Sequence, residues 1–77
     1  MKIFDQSLSH PTQASVVRLN GFELPEGGFL VTEDRIGVTT VVATLGLFDT
    51  RDAALARARS RAEELQAERY RAIPPAA

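Results

Sequence analysis

The run Val38-Thr39-Thr40-Val41-Val42-Ala43-Thr44-Leu45-Gly46-Leu47-Phe48-Asp49-Thr50-Arg51-Asp52 decides the fold, because it carries a strand straight into a helix. Val38, Thr39, Thr40, Val41, Val42 and Thr44 are β-branched, stiff at χ1 and suited to a pleated surface. That density predicts a strand over 38–47, at the centre of its sheet. At a period of two, Thr39, Val41, Ala43, Leu45 and Leu47 share one face, and Val38, Thr40, Val42 and Thr44 share the other. Thr50 supplies an N-cap hydroxyl and Asp52 a negative charge in the first turn. From Arg51 to about Ala72 almost every residue favours a helix, and Pro74-Pro75 is the expected stop. Ala54, Leu55, Ala58, Ala62, Leu65, Ala72 and Ile73 fall on one helical stripe, flanked by Arg51 and Arg69. The small alanines allow a close approach to the Val41, Ala43 and Leu45 face.

Upstream, Phe29 to Arg35 alternates as a strand should, between a Pro25-Glu26-Gly27-Gly28 turn and an Ile36-Gly37 turn. Before it, Val16, Val17, Leu19, Phe22 and Leu24 surround Asn20-Gly21. That dipeptide either closes a short hairpin or sits as a bulge within one strand ending at Pro25; the short flanking arms favour the second reading. Residues 1–13 combine Ile3-Phe4 with Ser, His, Pro, Thr and Gln, and read as a partly ordered N-terminal arm. The domain itself is expected over 14–73, with 74–77 a disordered tail.

Composition limits what such a chain can do. Its 77 residues make one domain, and of its 34 apolar residues 11 are alanine, so the core is small and added burial from a partner is expected. The chain has no cysteine, which removes disulfides, thiolate zinc sites and thiol catalysis. A formal charge of -1 argues against binding a polyanion by bulk charge. No apolar run is long enough to span a membrane or serve as a signal peptide, which leaves the cytoplasm as the expected compartment.

No constellation for catalysis assembles. His10, the lone histidine, has no acid or nucleophile beside it and reads as an exposed loop residue. Glu33-Asp34 lie on opposite faces of a strand and Glu63-Glu64 about 100° apart on a helix, so neither pair converges on a metal or a substrate. Gly27-Gly28 precedes a strand, whereas a phosphate loop follows one and opens a helix. No cofactor is expected. Six of the nine basic residues, Arg51, Arg57, Arg59, Arg61, Arg69 and Arg71, fall in the helical stretch, but Glu63, Glu64 and Glu68 interrupt each basic stripe.

The run Arg35-Ile36-Gly37, a strand, and then Phe48-Asp49-Thr50 with Ala54 one turn into a helix resembles the strand and helix tail of the WGR domain, over about residues 33–70. Members of that family are associated with nucleic-acid binding. Glu33 and Asp34 stand where the family carries its Trp and Gly, so the resemblance implies fold more than function. The same entry into a helix is similar to that of short bacterial β-β-β-α proteins.

The chain therefore reads as an α+β domain: an antiparallel meander of three or four strands with one C-terminal helix packed on one face. The expected function is that of a non-catalytic, homo-oligomeric interaction or accessory module, a homodimer through the uncovered face or edge of the sheet, with Val38, Thr40, Val42 and Thr44 as the partner surface. The rival cover for that surface is the N-terminal arm, through Ile3, Phe4 and Leu8. The alternative function is a WGR-like nucleic-acid-binding module using Arg35, Arg57 and Arg61.

Overall fold

A computed structural model describes residues 1–74, so the tail expected over 74–77 lies, from residue 75 on, outside the described residues. Five strands and one helix follow one another as β1 (Lys2–Ser9), β2 (Val16–Glu23), β3 (Phe29–Ile36), β4 (Thr40–Phe48), α1 (Arg51–Ala67) and β5 (Arg71–Ala72). The strands form one antiparallel sheet in the order β4-β3-β2-β1-β5. The α+β class with one helix on one face is as expected, but the sheet has five strands rather than three or four.

The arm expected over residues 1–13 is largely strand. Lys2–Ser9 pairs along β2, so Ile3, Phe4 and Leu8 are part of the sheet and cannot fold back over its open face. Its mixed polar composition hid the alternation of Phe4, Gln6 and Leu8 on the helix side with Asp5, Ser7 and Ser9 on the other. Asn20-Gly21 lies within the single strand β2, and the irregularity sits in the partner: the β1 register shifts between Lys2 and Phe4, leaving Ile3 as the extra residue. A Cβ at position 21 would stand 3.1 Å from Phe4 Cβ and 3.2 Å from Ile3 Cγ1, so glycine there gives the bulged strand room that any side chain would tighten.

A second bulge changes β4. Val31 pairs with Gly46 and Thr32 with Thr44, so Leu45 is inserted and packs into the core, while Leu47 turns to the open face beside Leu30. The single-face assignment of Val41, Ala43, Leu45 and Leu47 is corrected accordingly. β4 is also an edge strand and not central: the chain leaves it into α1, which crosses the sheet and delivers β5 to the far side of β1. β-Branching reports fitness for a sheet surface, not position within the sheet.

Thr50 caps α1, its Oγ1 accepting from Ala53 N–H at 3.2 Å. The helix stops at Ala67 instead of continuing to about Ala72. Arg69 N–H donates to Gln66 O and Tyr70 N–H to Leu65 O, with Arg69 at φ 76°, a left-handed closure that turns the chain into β5. Arg69 and Arg71 thus lie outside the helix. Tyr70 and Leu65, the two residues this closure brings together, are both buried with Leu8, Val17, Leu19 and Ala62. Val31, Ala54 and Ala58 form a second cluster, and Phe4 and Leu45 touch both. The predicted alanine stripe is indeed the buried side of α1, through Ala54, Ala58, Ala62 and Leu65. It docks over β1, β2 and β3 together with Leu45, however, and leaves Val41 and Ala43 exposed.

Candidate interaction surface

Strand register sets the composition of the face that α1 does not cover. Across it run the rows Leu47-Leu30-Phe22-Lys2, Thr44-Thr32-Asn20-Asp5, Val42-Asp34-Arg18-Ser7 and Thr40-Ile36-Val16-Ser9. Val17, Phe29 and Val31 face the helix instead. The open face is therefore graded, from charge on β1 and β2 to a neutral, largely apolar strip along β4.

The charged end is internally satisfied. Arg18 donates to both Asp5 oxygens, from Nε at 2.9 Å and Nη2 at 2.7 Å, and Lys2 Nζ reaches Asp5 at 3.2 Å. The Arg18 hydrogen bonds hold the Asp5 carboxyl down at about 2. Lys2 Nζ also sits 5.6 Å from the centre of the Phe22 ring. At the middle of the face, buried Asn20 donates to Asp34. An open groove between β1 and β5, lined by Phe4, Gln6, Ala72, Ile73 and Pro74 among others, contains Asp5 and Arg18, whose charges are spent on each other.

The other end has no such pairing. Val38, Thr40, Val42 and Thr44 are all exposed, with Val38 in the turn between β3 and β4 and the other three on the open face of β4. Val42 is 65% and Leu47 66% exposed on that face, and Val41 is 58% exposed on the helix side. Of the large apolar side chains left exposed among the described residues, five lie between Ile36 and Leu47. Val38 to Phe48 contains no charged residue and no proline.

The three arginines of the alternative reading are not brought together as a basic track. Arg61 Nε and Nη2 donate to the two Glu33 oxygens at 2.6 and 3.4 Å, and Nη1 donates to Glu64 at 3.1 Å. Arg35 Nη2 reaches the same Glu33 at 3.5 Å. Burial pushes the Glu33 carboxyl up, but the hydrogen bonds and charges of Arg61 and Arg35 outweigh it and hold the group below its ordinary value. The Glu33 hydrogen bond in turn raises the Arg61 guanidinium. Arg57 is in no ion pair among the described residues. The strand pattern that separates Glu33 from Asp34 leaves the burial of Glu33 unstated, and the structure buries it to 7% exposure. Its place on the Val31 side of β3, two residues on, is the periodicity that marks it as facing the helix.

His10 is part of the loop packing. Its Nδ1 accepts from Thr12 N–H at 3.2 Å, and its ring meets Tyr70 edge-on at 5.2 Å. Tyr70 Oη in turn lies 3.2 Å from Ser15 Oγ. No helix of the described residues is long and apolar enough to cross a membrane. Comparison of the chain with protein-family models, with curated proteins and with solved structures finds no match in any of the three.

Proposed function

We propose that this chain is a small, non-catalytic cytoplasmic accessory module that works through protein contacts as a homo-oligomer, using the Val38, Thr40, Val42 and Thr44 surface. The observation that carries the reading is the concentration of exposed apolar side chains on one uncharged edge strand, while the opposite end of the same face is closed by ion pairs. A long, neutral edge is a liability to a free monomer and an asset to an assembling one. The small core favours assembly further, since a 77-residue chain gains proportionally more from added burial than a larger one.

The nucleic-acid alternative has less to support it. Backbone binding draws its energy from cations free to displace counterions. Arg61 and Arg35 are instead directed at Glu33, which leaves Arg57 alone of the three. An enzyme is the least supported reading: the Thr12 hydroxyl lies 3.2 Å from His10 Nδ1, but among the described residues no carboxylate pairs with the ring to complete an acid-base set.

Light scattering across a concentration series tests the proposal. A mass rising above 8.4 kDa toward twice that value supports it, and a constant 8.4 kDa at high micromolar concentration overturns it. Fluorescence anisotropy of a labelled duplex and a labelled single strand tests the alternative. Binding at micromolar protein that falls steeply with salt would transfer the assignment to nucleic acid.

A further inference from the structure

Exposed apolar side chains stand on both faces of β4. Val42 and Leu47 project from the open face, and Val41 with Ala43 from the helix face beyond the reach of α1. Stacking another surface on the open face would cover the first pair and leave the second in water. A strand laid alongside β4 reaches side chains on both faces and also satisfies the backbone groups of the free edge. The two edges of the sheet differ in this respect. The β1 edge carries Lys2 and Asp5 and is partly covered by the two-residue β5, whereas β4 offers nine residues without a charge.

We infer that β4 is an antiparallel pairing edge for β4 of a second copy, with the two-fold axis through Val42. This rests on the homo-oligomeric reading and specifies its geometry. An axis perpendicular to the sheet keeps open face with open face only if residue i pairs with a residue of the same parity, so the centre must fall on a residue and not between two. The Leu45 bulge ends the regular part of the strand on one side and the Gly37–Thr39 turn ends it on the other, leaving Thr40–Thr44. The middle of that segment is Val42. The resulting register sets Thr40 against Thr44, Val41 against Ala43, and Val42 against Val42 of the partner copy. The Thr40–Thr44 and Val42–Val42 pairs are hydroxyl and β-branched pairs of the kind that stabilise cross-strand contacts.

An identical strand is the occupant that fits best. Self-pairing places like beside like, which penalises a charged edge, and this edge has no charge to repel its copy or to select a charged stranger. Five residues on each side make an interface at the small end of specific contacts, so the dimer forms in the micromolar range and dissociates on dilution. The union is one ten-stranded sheet with both helices on the same side.

The absence of native cysteine gives a direct test. Val42→Cys, a substitution at an exposed position, is expected to form a disulfide dimer under mild oxidation, because its Cα lies within disulfide range of its own copy. Thr40→Cys alone is expected not to, since two Thr40 positions would stand about 13 Å apart along the strands. A mixture of Thr40→Cys and Thr44→Cys proteins should give the heterodimer. Val42→Lys is expected to be monomeric at every concentration, with an unchanged far-UV spectrum. A parent dimer in which Val42→Cys fails to cross-link, or which survives Val42→Lys, overturns the edge pairing and leaves homo-oligomerisation standing. A parent that stays monomeric overturns both.

Discussion

Arg61 on α1 and Glu33 on β3 meet at 2.6 Å where the helix crosses the sheet, and the carboxylate is almost wholly buried beneath the guanidinium. Arg61→Met would leave that carboxylate under an apolar side chain with only the half-exposed Arg35 in reach. The expected cost at pH 7 is about 2–3 kcal/mol, the penalty of a buried charge that has lost its main partner. The pH dependence should reverse as well. In the parent, Glu33 is held below the ordinary 4.5, so its contribution is full above that value and is lost as pH falls through the lowered one. In the variant the buried carboxyl titrates above 4.5, so the native state takes up a proton that the unfolded state does not, and stability rises as pH is lowered from 7 to 5. Urea unfolding at the two pH values checks this; parallel shifts in parent and variant would refute it.

Asp5 and Arg18 give a second, independent acid response. With its carboxyl held at about 2 against an ordinary 3.8, Asp5 contributes stability that is complete above 3.8 and lost between there and 2. The pair is partly solvated, so the effect is modest. Arg18→Gln should return the Asp5 midpoint toward 3.8 in a carboxyl NMR titration. A midpoint unmoved by that substitution would mean that Arg18 does not set it.

Arg69 occupies the left-handed position that closes α1. A Cβ is unfavourable there by about 1–2 kcal/mol, partly offset in a glycine variant by the extra freedom of its unfolded chain. Arg69→Gly is expected to stabilise by about 0.5–1 kcal/mol, which in a domain of this size raises Tm by roughly 2–8 °C. Thermal unfolding decides; a lowered Tm would show that the Arg69 side chain itself contributes more than its backbone costs.

Ala58 is fully buried against Val31 and Ala54. Ala58→Arg must displace β3 from α1 or bury an unpaired cation, and is expected to cost at least about 3 kcal/mol. Ala56→Arg, on the exposed back of the same helix, should be within about 0.5 kcal/mol of the parent. Equal losses in the two variants would invalidate the docking face.

Elements governed by local pattern could be read from the sequence. The capped start of α1, its alanine stripe, the Gly27-Gly28 turn and the β2, β3 and β4 strands each have a periodicity or a turn residue as their signature. The end of α1 lacked one, because arginine stands where glycine usually marks the closure, and Arg71-Ala72 is too short to show a period. β1 was obscured by Gln6, Ser7 and Ser9, polar residues that a strand accepts once a neighbour satisfies its backbone. The Leu45 bulge was not legible either: it follows from how β3 and β4 must align to place both Phe48 and Leu45 in the core. The proposed surface was legible as far as Val38, Thr40, Val42 and Thr44, but their place on an edge depends on where α1 sends the chain next.

The hydrogen bond from Ile73 N–H to Ser7 O at 2.8 Å ties together two segments that are distant in sequence, whereas β1, β2 and β3 each pair with the strand that follows. Each hairpin of the meander can close over a short loop, but β5 has no neighbour until α1 has been laid down across the sheet. The exposed Arg71 to Ile73 segment, beyond the buried Tyr70, is thus expected to dock last. In the native protein it is also the part that can lift away without breaking the meander, so the amide of Ile73 should exchange with solvent faster than those of β2. Proteolysis in the native state should accordingly begin beyond Tyr70.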